Sequence, residues 1–374
     1  MVTSRQIKYI VRILVWGFLG FHIGIVVLLN IPSVQNKLAS IATAELRKLL
    51  NTEVSVGYVE MGFLNRFHIE DVLLKDHQGD DMLNLQRLTA RFEIKPLLDG
   101  KIVINSVQLI GFDIRLKKDN PESTPNFQFV LDAFASKDTL NKSPNLDLRI
   151  NSVFINRGQI SYDVLSEAET PGKLNGSHLG LRNLSASISL KALRNDTIHA
   201  IIRRLSFEEQ SGFQLKNLVA KLIADNKQLN LSDFSVNLPT STLMLDSVKI
   251  HYDSLQNLPK LTDDVHFKGQ LNGAFVMKDL ATVVPAFKEL DYPLDISLAF
   301  NGQGKNVEVP LLSISDNRHL NIKGNASVLN WDANRNMFLQ AKLANLSVTK
   351  AGINYFMRAL TGSVPSILQR LEYI

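Results

Sequence analysis

The sequence predicts a mainly β protein with a few helices. An N-terminal transmembrane helix is followed by a long antiparallel meander, curved into a U-shaped groove with an apolar interior. Three observations carry this reading. The 17 residues from Ile13 to Leu29 hold no charge. From Val54 onward apolar residues recur with period two, the spacing of a strand with one apolar and one wet face. Finally, there is an unusual amount of one-sided sheet, whose apolar faces a closed sandwich or barrel would bury fully against each other. A meander bent into a U leaves an apolar trough with a polar exterior, and apolar surface of that extent marks a ligand or partner site.

The first segment, with Ile13, Trp16, Phe18, Phe21 and Leu28 as its apolar body, reaches about 25–28 Å as a helix, enough to span a bilayer's hydrocarbon core. The competing reading is a cleaved secretory signal, whose apolar core is typically about 7–15 residues and ends at a small-residue site. This segment is longer and runs into Asn30-Ile31-Pro32-Ser33, so it reads as an uncleaved anchor. Arg5, Lys8 and Arg12 precede it and only Lys37 follows closely, which keeps the N-terminus cytoplasmic and sends the body across.

Composition narrows the function classes. The chain of 374 residues has no cysteine, which excludes a disulfide framework, a thiolate metal site and a cysteine nucleophile. The net charge of +5 rests largely on the anchor's flank: without those three basic residues, 38 basic face 36 acidic ones. A near-neutral body offers no basic patch for nucleic acid.

After Pro32-Ser33 an amphipathic helix runs to about Leu50, with Val34, Leu38, Ile41, Ala42, Leu46 and Leu49 on one face. It reads either as a core-facing helix or as one lying at the membrane surface. The strands follow. Ile102, Ile104, Ile110, Phe112, Ile114 and Leu116 alternate with Asn105, Asp113 and Arg115. Leu146, Leu148, Ile150, Phe154, Ile160 and Tyr162 repeat the pattern, and Leu184, Ala186, Ile188 and Leu190 alternate with Ser185, Ser187 and Ser189. Further runs lie at 243–252, 265–275, 294–300, 320–328 and 337–343. Of these residues, Ile102, Ile104, Ile110, Phe112, Ile114, Leu148, Ile150, Phe154, Leu184, Ile188 and Leu190 are expected to line the groove.

Weak repeats are visible. Ile104-Asn-Ser-Val107 recurs as Ile150-Asn-Ser-Val153, with Leu245-Asp-Ser-Val-Lys-Ile-His-Tyr252 a third relative, as in a sheet that grows by adding copies. Helical spacing returns at Phe127, Val130, Leu131 and Phe134. It recurs at Leu280, Val283, Val284 and Phe287 around Pro285, and twice between Ile353 and Leu371. Ile198, Ile201, Ile202 and Leu205 also fit a helix, but strand-like flanks favour a strand.

No catalytic constellation emerges. Gly302-Gln-Gly304-Lys305 lacks the spacing and hydroxyl of a phosphate loop and reads as a hairpin turn. His68 with Glu70 and Asp71, and His77 with Asp80 and Asp81, are the nearest approaches to a metal set and read as solvated turns. An enzyme is disfavoured, and no cofactor is expected.

The anchor, the helix around Ala44-Glu-Leu-Arg-Lys-Leu-Leu50, Asn51-Thr-Glu-Val-Ser-Val-Gly-Tyr-Val59, Phe67-His-Ile-Glu-Asp-Val72 and Leu109-Ile-Gly-Phe-Asp-Ile-Arg-Leu116 resemble the AsmA-like superfamily. The resemblance covers about residues 1–135 and is strongest to the N-terminal part of the TamB family, the inner-membrane subunit of the translocation and assembly module. It implies a taco-like periplasmic β-groove in a bacterial inner-membrane protein, one that conducts phospholipids through contact with their acyl chains. Alternatively it implies a scaffold that assists assembly of an outer-membrane β-barrel partner. The organisation expected is an anchor at 1–31, an amphipathic helix at 32–50, the groove with short inserted helices at 51–348 and a helical segment at 349–374. Members usually run longer and end in a further domain that these residues do not contain, as an N-terminal piece would.

Overall fold

The computed structural model describes residues 4–29, 31–62, 65–93, 103–134, 149–194, 197–331 and 336–364. The chain is mainly β and divides into two units, residues 1–167 and 168–374.

In the first unit the uncharged segment forms one unbroken helix, α1 (Ser4–Leu29), on which Ile13, Trp16, Phe18, Phe21 and Leu28 are all exposed. Among the described residues no helix is long and apolar enough to cross a membrane. Helix α2 (Pro32–Leu50) starts on proline, whose fixed φ suits a first turn, and ends on Asn51 in the left-handed conformation. It packs on the sheet formed by β1 (Val54–Gly62), β2 (Arg66–Lys75), β3 (Asp81–Phe92) and β4 (Val103–Lys118). Leu50, Val54, Leu74 and Met82 form the core, closed by Leu46 and by Val130 and Ala133 of α3 (Gln128–Phe134). The face of α2 turned inward holds Gln35, Ala39 and Leu50, whereas Ile41 and Leu49 are exposed. The packing stripe is therefore rotated from the one expected. Two α2 side chains close the outer edge of β1: Arg47 Nε donates to the Val54 carbonyl at 2.7 Å, and the Val56 N–H donates to Thr43 Oγ1 at 3.2 Å.

One expectation is corrected here. The sheet is not antiparallel throughout, because β5 (Arg149–Ile150) and β6 (Ser152–Val164) run parallel to β4. The intervening residues 119–148 are long enough for the crossover that parallel pairing requires. The repeats explain the register, since Ile104 pairs with Ile150 and Val107 with Val153. Like therefore stacks on like, and Asn151 Nδ2 donates to Asn105 Oδ1 at 3.0 Å.

The second unit is an open antiparallel sheet. Its strands are β7 (His178–Arg194), β8 (Thr197–Glu209), β9 (Gln214–Leu215), β10 (Asn217–Asp225), β11 (Gln228–Asn237), β12 (Thr242–His251), β13 (His266–Phe275), β14 (Leu294–Gln303), β15 (Asn306–Ser315), β16 (Leu320–Leu329) and β17 (Phe338–Val348). From β10 each pairs with the next; β8 joins β7 on one side and β9 and β10 on the other. Bulges interrupt the register between β7 and β8, β10 and β11, β12 and β13, and in every hairpin from β14 to β17, each one bending and twisting its strand. Residues 198–205 are strand, as their flanks suggested, and Gly304 (φ 55°) makes the β14–β15 turn. The helical spacing around Pro285 resolves into two 3-10 turns, Met277–Leu280 and Pro285–Phe287. Helix α4 (Lys350–Thr361) is capped by Thr349 and carries Tyr355, stacked 3.9 Å from Tyr292. The second helical patch, from Val364, falls almost wholly outside the described residues.

Asp76 ties the first unit together. Only 2 % exposed, it accepts from the backbone N–H of Gln78 at 3.0 Å and of Asp80 at 2.9 Å, from Asn126 Nδ2 at 3.1 Å and from Lys117 at 3.3 Å. Burial alone would raise its pKa; the bonds from Asn126, Asp80 and Lys117 outweigh that and hold the carboxyl below its usual value. A depressed carboxyl contributes stability that is present above the unfolded pKa of about 3.9 and is lost as pH falls through the folded value. Asp76→Asn should cost about 1–3 kcal/mol at pH 7. It should also flatten the fall in thermal stability below about pH 4. Melts of both proteins at pH 7 and pH 3 check this, and identical curves would contradict it.

Candidate apolar groove

The candidate site is the apolar face of the second sheet. Residues directly opposite on paired strands point to the same side, so the register reads out each face. One row is Leu218, Val236, Leu243, Gly273, Ile296, Ile314, Ile322 and Leu346, one residue from each strand β10 to β17. Its neighbour is Phe234, Leu245, Leu271, Leu298, Leu312, Gly324 and Leu343. Neither row contains a polar side chain. At about 4.8 Å between strands, eight strands carry such a row for roughly 34 Å.

The opposite face is wet. Between those two rows on the other side run Ser235, Met244, Asn272, Ser297, Ser313, Lys323 and Asn345. The bulges preserve this separation: Arg203 is one of the extra residues between β7 and β8, and Ile188 still meets Ile202 while Ala186 meets Leu205.

Aromatic rings fill the gaps that glycines leave on the apolar side. A Cβ at Gly302 would overlap the Phe267 ring, and one at Gly269 would lie 2.6 Å from Phe300. In the first unit Phe112 covers its direct partner Gly158 in the same way and is 4 % exposed. Coverage then falls away along the second sheet. On β17, Leu343 is 45 %, Leu346 61 % and Leu339 64 % exposed.

The expected lining residues divide. Phe112 and Ile114 stand in the rows of Leu85 and Leu83, and Ile104 pairs with Ile150. Leu184 is buried, and Ile188 and Leu190 face Ile202 and Ala200. Ile110 instead stands between Arg87 and Asn156, and Phe154 beside Gln108. Strict alternation fails there because Asp71, Gly111 and Arg157 take left-handed backbone (φ 54°, 60° and 57°), which carries the pattern over by one residue. Ser189, expected on the wet face, is buried there and accepts from Arg203, a bulge residue of β8, at 2.7 Å. Ile102 and Leu148 lie outside the described residues.

Sequence reasoning missed β10, β11 and β15, which supply Leu218, Leu231, Phe234, Leu312 and Ile314 to the face. Pro310 and the bulge after Val309 break the period in β15, although Ser313-Ile-Ser retained it.

The residues weighed as metal or catalytic sets have other partners. His68 meets Thr89 Oγ1 at 2.9 Å, Glu70 pairs with Arg87 at 2.7 Å, His77 stacks on Phe129 at 4.2 Å, and Asp80 pairs with Lys117. Among the described residues no group of three or more His, Asp or Glu could hold a metal ion.

A closed core and an open face respond differently to truncation. Phe112→Ala should cost about 3–5 kcal/mol, the range for a buried aromatic. Leu343→Ser should stay within about 0.5 kcal/mol, as for surface positions. Denaturant unfolding of the two variants measures the contrast, and a large loss at Leu343 would mean that β17 is covered.

Compared with protein-family models and with curated proteins, the chain gives no match.

Proposed function

We propose that the chain is an inner-membrane-anchored protein whose sheet forms a U-shaped periplasmic trough that binds and conducts phospholipids by their acyl chains. The observation that carries the reading is the pair of apolar rows uninterrupted by any polar side chain across β11–β17. Such a surface suits a ligand that is long, apolar and able to slide, because every position along it offers the same contact and none offers a hydrogen bond that would fix the ligand in place. Water left over such a face costs on the order of 25 cal/mol per Å² of apolar area, which acyl chains would recover.

The uncharged 17-residue segment and its basic flank support the anchor and its orientation. Protease added to spheroplasts should degrade everything beyond about Pro32 while α1 stays protected, and the mature protein should retain its N-terminal segment. Full protection of the body, or a mature terminus beyond residue 30, would defeat this.

A second reading, a scaffold for outer-membrane β-barrel assembly, is favoured by β17. Among the described residues it pairs only with β16, so its outer edge can accept an added strand.

For conduction, a photo-crosslinking side chain at Leu271 or Leu298 should capture acyl chains in cells, while one at the adjacent Asn272 or Ser297 should capture none. Leu298→Asp should leave abundance near normal and stop transfer, since each passing chain would have to desolvate a carboxylate at a cost of several kcal/mol. Lipid capture from both faces alike, or from neither, would turn the choice to the scaffold.

A further inference from the structure

The wet face carries one feature that the conduction of acyl chains does not use. The sequence Lys249-Ile-His251 ends β12, and the reversed order His266-Phe-Lys268 begins β13. Antiparallel pairing sets Lys249 directly opposite Lys268 and His251 directly opposite His266. Directly opposite residues have Cβ atoms about 4.5–5.5 Å apart, and like charges so placed repel. A depression of about 620 Å³ lies over these four residues, floored on its other side by Asn301, Gln303, Asn306 and Glu308.

Among the described residues no carboxylate pairs with either lysine. Glu308, the one acidic residue lining the depression, is engaged by Asn301 Nδ2 at 2.9 Å, and Gln303 Nε2 donates to the Asp263 carbonyl. Asp225 lies near His251 but is already held by the backbone N–H groups of Lys227 and Gln228. The result is a concave site with two ammonium groups and two imidazoles converging from adjacent strands and little local charge to balance them.

We propose that this depression binds a phosphate-type oxyanion, as a soluble phosphate compound or as the head group of an anionic lipid. Two lysines side by side can grip two oxygens of one tetrahedral anion, each with charge-assisted hydrogen bonds. The histidines add ring N–H donors beside the lysines. The site faces away from the apolar rows, so it is independent of lipid passage along them and stands or falls separately.

The test titrates the full chain in neutral detergent at 50 mM salt with two probes, each followed by calorimetry: inorganic pyrophosphate, and phosphatidylglycerol dispersed in the same detergent. Wild type should bind at least one probe, and the probe bound identifies the source. Lys249→Gln with Lys268→Gln should weaken that binding at least tenfold and leave the thermal midpoint equal or higher, because a repulsive pair has been removed. Lys323→Gln, on the same face four strands from β12, should leave binding unchanged. Binding of neither probe, binding equal in wild type and the double variant, or equal loss in Lys323→Gln, would overturn the proposal.

Discussion

Cross-strand register is the constraint on which the structure depends. Strand side chains alternate with period two, so a slip of one residue in any hairpin would move that strand's leucines to the wet side and its serines and lysines into the apolar rows. Across β10–β17 the sheet avoids this despite bulges in five of its hairpins, because each bulge inserts a residue where the pattern itself changes phase. The glycines take part in the same scheme: Gly302 and Gly269 accommodate the rings of Phe267 and Phe300, which pin β13 against β14 from the apolar side.

The edge strands of the two units are treated differently. The outer edge of β1 is closed by Thr43 and Arg47 of α2, and the sheet beside it is packed under Leu46, Leu50 and α3. Strand β17 is exposed on both faces. An edge of that kind is normally blunted by charge or proline, since it can template association. Here Lys342 is the only charged residue among its eleven. In the first unit packing is concentrated under α2 and α3; in the second, among the described residues, β17 is left uncovered.

Much of this was legible in the residues, and the failures have physical causes. The uncharged helix, the β character and most of the later strands follow from charge and period alone. Direction does not, because alternation looks the same in parallel and antiparallel strands; the repeated Ile-Asn-Ser-Val could have indicated that β4 and β6 lie side by side, in register. Ile110 and Phe154 were misplaced because one left-handed residue in each strand shifts the phase, and of those only Gly111 announces itself by residue type. Ile41 and Leu49 are apolar yet exposed, because the face of α2 that meets the sheet is centred on Ala39, Leu46 and Leu50. The mirrored Lys-Ile-His and His-Phe-Lys segments meant nothing until pairing brought them together.

The central claim is that the open apolar face is occupied by lipid. The most direct measurement is mass spectrometry of the molecules that co-purify with the full chain, compared with a chain carrying Leu271→Asp and Leu298→Asp. Both proteins keep α1, so lipid held around that helix cancels. The account predicts several phospholipids per wild-type chain in excess of the variant. Equal lipid content in the two folded proteins would contradict it.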